Sequence, residues 1–479
     1  MLTEQAKIRW FYGVTVTYLL LVVYAIVQES PIFYLIPFAL IFNYLVLFKL
    51  DSVLLFLNFI IPLSIQFDDV GFGLGISLPD EPLIMVIMFL SVFRFIIDGN
   101  YDIKVLRHPL TIIILINLIW YFITAITSEM PAVSFKYALS RFWYVVVFYF
   151  LGIMLFRNLN QIVKYLWLYL IPLTFVILFT LWSHSKKGFS QESSFHISLP
   201  FYIAHGIYSA AISFFIPLLI AYLLYSNKIK LKWYWILVVC CLLGIFFTGV
   251  FYSYTRAAWL SIAVSVFLFI PILLKISFHV QLTTLIIGFG LFLLFQEQIF
   301  TALSRNKQDS SEGFDKHLQS ASNIRTDASN VERINRWASA INMFKVKPIF
   351  GFGPGTYHFK YAPYQEARHR TMISTNFGNQ GGAHSEYLST LAETGFMGLL
   401  TLILLLYFGL STAYKNIYST NNPKVKLLLV GITLGLIGYF THGFLNNYSE
   451  TDKIAPLVWG GLAIIVAIDV YHKNTPKEV

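Results

Sequence analysis

The sequence predicts an all-α integral membrane protein with about 12–14 transmembrane helices and one large periplasmic loop that contains short surface helices. Of its 479 residues, 57% are hydrophobic and only 12% are charged, whereas a soluble domain carries about 25% charged residues. Aromatic residues make up 18% of the chain. That content suits a protein with two membrane interfaces, because amphipathic rings settle at headgroup depth.

The apolar runs along the chain define the predicted helices. A spanning helix needs about 20 mostly apolar residues, and about fourteen runs approach that length. They lie at 11–27, 32–48, 53–67, 83–97, 110–127, 142–156, 162–182, 203–225, 233–251, 257–274, 282–295, 396–414, 426–444 and 454–470.

The distribution of Lys and Arg orients these helices. With the N-terminus in the cytoplasm, the short cytoplasmic segments hold most basic residues, including Lys164, Lys228, Lys230 and Lys232, as the positive-inside rule requires. A smaller set lies in or beside the short outer segments: Lys136, Arg141, Lys186, Lys187, Arg256 and Lys453. Because the basic residues form no stripe, the formal charge of +10 does not indicate a nucleic-acid partner.

A long hydrophilic stretch at 296–383 is predicted to lie on the outer face. It divides the chain into N-terminal transmembrane helices (1–295), the periplasmic loop (296–383) and C-terminal helices (384–479). Residues 304–330 are rich in Ser, Asn, Asp and Lys, a composition typical of a mobile segment. Residues 331–344 place Ile334, Trp337, Ile341 and Phe344 at helical spacing, which predicts an amphipathic helix along the membrane surface.

Two glycine-rich breaks follow that helix. The segment GFGPGTY (351–357) must be a turn, since three glycines and a proline sustain neither helix nor strand. Its glycines are expected to shape the backbone, because the Lys-Ser/Thr pair of a phosphate-binding P-loop does not follow them. Gly381 and Gly382 give a second break before His384 opens a helix, HSEYLSTLAETG, which Gly395 closes.

Three segments resemble the O-antigen ligase and polymerase superfamily of membrane glycosyltransferases. They are SYTRAAW (253–259), Arg333 four residues before Trp337 with KPIFGFGPGTY after it, and AHSEYLSTLAETGFMG (383–398). The resemblance implies a multi-helix enzyme that takes a glycan from an undecaprenyl diphosphate carrier and joins it to an acceptor hydroxyl on the periplasmic side. It also implies inversion at the sugar carbon, with neither a metal nor another cofactor.

The resemblance carries over three residues as catalytic: His384, Arg256 and Arg333. Attack by a sugar hydroxyl needs a base with a pKa near neutrality, which suits the imidazole of His384; the alternative is a His that lines a helix start. Arg256 lies in an apolar segment where a guanidinium needs a partner, and a diphosphate would supply one; the alternative is a side chain that extends to the interface. Arg333 is expected to stabilise the departing diphosphate.

Six further residues are predicted to contact substrate: Arg141, Arg336, Tyr357, Ser385, Glu386 and Glu393. Arg141 is expected either to hold the carrier diphosphate or to anchor a helix at the interface. Arg336 follows Glu332 by four residues, and that spacing favours a structural ion pair. His205 and His442 lie in apolar runs and are expected to form hydrogen bonds between helices.

Two other classes of function stay open. Asp68 and Asp69, followed by Asp80 and Glu81 in the same external segment, offer the oxygen ligands of a metal-dependent glycosyltransferase. Such enzymes of another architecture place their acids in the first external loop, whereas these lie in the second. A transporter of lipid-linked glycans would also suit this many spans, but midplane polar residues and related halves, which transporters carry, are not clear here.

The expected location is the bacterial inner membrane, multi-pass, with a cytoplasmic N-terminus and a periplasmic active site. The expected partners are an undecaprenyl-diphosphate-linked glycan donor, a lipid A-core or glycan acceptor, and membrane lipids. A lipid A-core acceptor would make the enzyme an O-antigen ligase. A growing glycan would make it an O-antigen or exopolysaccharide polymerase, and a Ser or Thr side chain a protein O-oligosaccharyltransferase. The ligase is favoured because no extra soluble domain follows the last helix.

Overall fold

A computed structural model of the chain describes residues 48–67, 76–98, 101–305, 328–370, 374 and 381–473, with isolated positions between 12 and 46. The predicted fold class, an all-α integral membrane protein, is confirmed. The long helices are α1 (Leu50–Ile60), α2 (Asp80–Asp98), α3 (Pro109–Ile126), α4 (Pro131–Leu155), α5 (Leu159–Ser185), α6 (His205–Leu224), α7 (Trp233–Phe251), α8 (Arg256–Leu273), α9 (Phe278–Arg305), α10 (Ala328–Val346), α11 (Glu386–Ser419), α12 (Pro423–His442) and α13 (Ala455–His472).

Nine of these helices, α3–α8 and α11–α13, are long and apolar enough to cross a membrane within the described residues. Each coincides with a predicted run. The first two predicted runs, 11–27 and 32–48, are described only at scattered positions, and those positions are helical. The core of the bundle is formed by α12 and α13, which each have 83% of their apolar window buried, whereas α7, at 22%, lies at the periphery.

The third predicted run, 53–67, is wrong in its second half. Helix α1 ends at Ile60, and a 3-10 turn containing Pro62 follows it, since proline cannot donate to the helical hydrogen-bond ladder. Residues Ile65–Phe67 form strand β1, which pairs antiparallel with β2 (Ile76–Leu78). The apolar residues at the end of this run therefore belong to a two-stranded ribbon and not to a span.

The predicted surface helix is present as α10, which extends beyond 331–344 at both ends. Its buried face combines the polar residues Glu332, Asn335, Arg336 and Ser339 with Ala340 and Met343, while Ile341 on the predicted apolar stripe is 40% exposed. The Asn335 side chain donates to Gln365, and Arg336 donates to the Gly382 carbonyl. Trp337 of the predicted stripe is half-buried, and its indole N–H donates to the His384 carbonyl at 3.3 Å. The position of this helix along the membrane surface stays a prediction. The prediction that 304–330 is mobile concerns residues mostly outside the described ones.

The glycine-rich segment 351–357 is a turn, as predicted. Gly351 and Gly353 have φ values of 66° and 109°, which favour glycine. The Gly353 N–H donates to the Glu393 carbonyl at 2.8 Å, and the Glu129 N–H donates to the Phe352 carbonyl at 3.2 Å. The turn therefore ties the first part of α11 to the α3–α4 connection.

Helix α11 begins two residues later than predicted. Ser385 is its N-cap, and the Ser385 side chain accepts a hydrogen bond from the Leu388 N–H. His384 precedes the cap with φ of 49°, in the left-handed region. Gly395 interrupts the helix with φ of 69° and ψ of −169°, so the break predicted at this glycine is confirmed.

Candidate active site

Four helix ends meet at one end of the bundle. Helices α6, α8 and α11 begin there, at His205, Arg256 and Glu386, and α12 ends there, at His442. The Nδ1 atom of His205 lies 2.9 Å from the Ser253 carbonyl, in the α7–α8 connection. The Glu386 N–H donates to the Gly443 carbonyl at 2.8 Å, which joins α11 to the end of α12.

His384 lies among cations at this end of the bundle. Burial, together with the nearby charges of Arg336 and Arg333, lowers the pKa of His384 to about 4. A hydrogen bond with the Asn446 side chain acts in the opposite direction and stabilises the charged imidazole. The imidazole is therefore neutral at physiological pH, but its pKa lies below the near-neutral value expected of the base.

The positive charge of Arg333, on α10, acts on several of the surrounding imidazoles. Besides His384, its guanidinium interacts electrostatically with His205, His442 and Tyr448. His442 is 1% exposed, and neither of its ring nitrogens has a hydrogen-bond partner among the described residues. His205 bonds the α7–α8 connection and not another helix, and the hydrogen bond expected of His442 is not found among the described residues.

Arg256 is the first residue of α8 and is half-buried. The hydroxyl of the preceding Thr255 lies 3.4 Å from His205 Nδ1, and His205 in turn lies in the field of Arg333. His205 thus lies close to Thr255, which precedes Arg256, and also interacts with the charge of Arg333. The positive end of the α8 dipole adds to the favourable environment for an anion.

The α12–α13 loop, residues 443–454, was missed by sequence reasoning apart from Lys453. Besides Asn446, which bonds His384, its Ser449 hydroxyl donates to Glu386 and its Glu450 carboxylate pairs with Arg141. Tyr448 donates to Asn446 Oδ1 at 3.2 Å. No signal in the sequence indicated this loop, because its contacts with His384, Glu386 and Arg141 join it to distant parts of the chain.

Two of the predicted substrate contacts are held by carboxylates. Arg336 Nε donates to Glu332 at 2.9 Å, so the predicted i, i+4 ion pair forms, and its Nη1 donates to the Gly382 carbonyl at 3.1 Å. Arg141 is buried and bonds Glu450 through Nε at 2.7 Å. Its Nη1 donates to Asn117 at 2.8 Å. A role for either side chain in binding diphosphate stays a prediction and would require these pairs to rearrange.

The remaining predicted contacts lie in the 351–357 turn and at the start of α11. The Tyr357 hydroxyl donates to the Arg336 carbonyl at 2.7 Å, and the Tyr357 N–H donates to Glu393 Oε1 at 3.0 Å. Ser385 caps α11, and Glu386 is buried against Ser449. These four side chains support the fold around His384, and their contact with substrate stays a prediction.

The acidic residues of the metal-dependent alternative are described only in part, because Asp68 and Asp69 lie outside the described residues. Asp80 lies beside Asp452, whose carboxylate is 3.6 Å from Lys453 Nζ. The Lys453 ammonium donates to the Ile61 and Ser64 carbonyls at 2.6 and 2.8 Å. A lysine thus supplies the positive charge next to these carboxylates, and a metal ion there would be repelled by it.

Fold and site together define an all-α membrane protein with guanidinium groups and a neutral imidazole at one end of its helix bundle. The O-antigen ligase family model matches residues 241–403, a range that includes Arg256, Arg333 and His384. This match confirms the resemblance predicted from the motifs over that part of the chain.

A protein of Haemophilus influenzae, described only as uncharacterized, is also similar to this chain. The two are 29% identical over 113 residues, which is 23% of this chain and 26% of that protein. This chain therefore aligns with about a quarter of the relative's length, and the similarity supplies no activity or substrate.

Proposed function

We propose that this protein is a metal-independent, inverting glycosyltransferase that moves a glycan from undecaprenyl diphosphate to an acceptor hydroxyl on the outer face of the inner membrane. The single observation that carries the proposal is the neutral imidazole of His384 within the field of Arg333. A group that can take a proton lies beside a cation that can stabilise a departing diphosphate. Both requirements of transfer from an activated sugar are met at one place.

The proposed reaction is a single displacement at the sugar carbon. The acceptor oxygen attacks that carbon, the bond from the carbon to the diphosphate oxygen breaks, and the hydroxyl proton passes to His384. The electron pair of the broken bond leaves with the carrier diphosphate. Attack opposite to the leaving group inverts the configuration of the carbon, as in other single-displacement glycosyl transfers.

Arg333 and Arg256 are assigned to the diphosphate. Arg333 extends from a helix whose polar face is turned inward, and Arg256 opens α8 beside His205. A planar guanidinium can bond two phosphoryl oxygens at once. Asn446 is assigned a positioning role, because its hydrogen bond to His384 orients the imidazole and favours the protonated form that the reaction creates.

The acceptor that we propose is the lipid A-core, which would make the enzyme an O-antigen ligase. The description of the matching family model, O-antigen ligase, supports this choice. The test uses purified protein, the lipid-linked glycan, and either lipid A-core or no added acceptor. We expect capped lipid A-core to form. Longer lipid-linked glycan without added acceptor would instead indicate a polymerase, and glycosylated Ser or Thr of a protein would indicate an O-oligosaccharyltransferase.

Two variants test the site. His384→Ala removes the base and should lower the transfer rate about 10²- to 10⁴-fold, and Arg256→Ala should lower it about 10²- to 10³-fold. The matched controls are His279→Ala and Arg368→Ala, since both side chains are exposed. The four proteins should elute alike in size-exclusion chromatography. Wild-type rates in either site variant would contradict the assigned roles.

A further inference from the structure

An apolar groove lies between α5 and α7, far from the site residues. It has a volume of 690 Å³ and is lined by Val163, Trp167 and Thr174 of α5, Trp235 and Leu242 of α7, and Tyr222 at the end of α6, with other apolar side chains between them. Helix α7 is the least buried of the nine spans. The groove therefore opens toward the lipid.

The groove belongs to the end of the bundle opposite the candidate active site. The C-terminal ends of α5 and α7 approach the site, where the Tyr254 hydroxyl donates to the Phe189 carbonyl at 2.7 Å. The groove is lined from the N-terminal halves of the same two helices. From Val163 to Thr174 it extends about 16 Å at 1.5 Å per residue. That length matches one leaflet of a hydrocarbon core about 30 Å thick.

Three lysines are sequence neighbours of residues that line the groove. Lys164 follows the lining residue Val163, and Lys230 and Lys232 flank the lining residue Leu231. All three are exposed. Within the part of the chain that the structure describes, none of them forms an ion pair, and the connection 226–232 contains no acidic residue. The rim therefore presents positive charge that no described carboxylate neutralises.

We propose that this groove binds an anionic phospholipid of the bilayer, with an acyl chain between α5 and α7 and the phosphate at Lys164, Lys230 and Lys232. The apolar wall accounts for the chain, and the lysine rim selects the negative headgroup. Trp167 and Tyr222, which both line the groove, are joined by a hydrogen bond of 3.4 Å. A zwitterionic lipid could place an acyl chain in the same groove, but its headgroup has no net negative charge to pair with the lysines.

The test measures lipid retention by the intact protein. Protein purified in a neutral detergent is titrated with phosphatidylglycerol or with phosphatidylcholine, and bound lipid is counted by native mass spectrometry. We expect selective retention of phosphatidylglycerol. The double variant Lys230→Gln, Lys232→Gln should weaken it roughly 30-fold, since two cations near the headgroup are lost. The matched control, Lys186→Gln with Lys187→Gln, removes the same charge at the other end and should bind as wild type.

A second variant tests the apolar wall separately from the rim. Val238 lines the groove and is 38% exposed, so Val238→Trp should fill the groove and reduce phosphatidylglycerol retention without altering any charge. Equal retention of the two phospholipids, an equal loss in the control variant, or unchanged binding to Val238→Trp would each overturn the proposal. Displacement of phosphatidylglycerol by an equal amount of undecaprenyl phosphate would also overturn it, because the groove would then belong to the isoprenoid carrier.

Discussion

The motif around His384 identifies the residue but not its protonation state or its backbone conformation. The motif identifies the imidazole, but the protonation state depends on burial and on Arg336 and Arg333, which α10 contributes. The φ of 49° is uncommon for a residue other than glycine, and such backbone strain clusters at functional sites. Neither the charge environment nor the backbone conformation could be predicted from the residues that surround His384 in the sequence.

The low pKa of His384 predicts the pH dependence of transfer. A general base must be neutral, so activity is complete above its pKa and is lost as the pH falls through that value. With a pKa of about 4, kcat/KM should stay constant from about pH 8 down to about pH 5.5, whereas an unperturbed imidazole would titrate near 6.5. The measurement is kcat/KM against pH with the lipid-linked donor. An acid limb centred near 6.5 would show that the cations do not act on this base.

The pH dependence of kcat should differ from that of kcat/KM in the position of its acid limb. Bound diphosphate brings negative charge to Arg333, so the electrostatic effect of this guanidinium on His384 weakens in the enzyme–donor complex. We expect the acid limb of kcat to lie at a higher pH than that of kcat/KM. Coincident limbs would indicate that the diphosphate binds away from Arg333.

At the scale of elements, apolar runs predicted the spans because a bilayer leaves a helix little choice: every backbone polar group must be bonded within the segment. The turn at 351–357 and the break at Gly395 were predictable for a similar local reason, since glycine fixes where a helix stops. The buried face of α10 was not predictable. Its apolar stripe was evident, but Glu332 also bonds Ser374 and Arg336 also bonds Gly382, both distant along the chain.

The α12–α13 loop shows why the sequence indicated only part of the site. Arg256, Arg333 and His384 lie in motifs and could be identified one by one. Asn446 and Ser449 lie in an ordinary polar loop, and their importance depends on His384 and Glu386, which they meet only in the folded chain. A periodic pattern describes neighbours along one element, so it contains no information about such pairs.

Gly395 provides a prediction for an element. Its φ of 69° suits glycine, and a Cβ atom there would lie 2.0 Å from the Ile349 carbonyl oxygen. Gly395→Ala should therefore destabilise the protein by about 2 kcal/mol or more and displace the turn that supports α11, with a loss of transfer. The measurement is thermal unfolding in detergent together with the transfer rate.

The control for that variant is Gly244→Ala, in the middle of α7. A Cβ atom at Gly244 has no heavy atom within 4 Å, and alanine is favoured over glycine in a helix by roughly 0.5–1 kcal/mol. This substitution should leave stability equal or slightly higher. An equal loss in both variants would show that the conformation at Gly395 is not what matters.

At the scale of the whole molecule, the site is in contact with the loop between the two most buried helices, α12 and α13. The α12–α13 loop connects the two spans with the largest buried share, and it contacts His384, Glu386 and Arg141. The site residues Arg256, Arg333 and His384 lie toward this end of the bundle, and the groove between α5 and α7 lies toward the other.

This asymmetry predicts a sided reaction in proteoliposomes. Glycan should be transferred only between donor and acceptor presented on the side of His384, because Arg256, Arg333 and His384 all lie toward that end of the bundle. Excess EDTA should leave the rate unchanged, since fixed cations stabilise the leaving group. A rate lost in EDTA and restored by Mg²⁺ would favour the Asp68–Asp69 alternative. Movement of the lipid-linked glycan across the bilayer without a new glycosidic bond would identify a transporter instead.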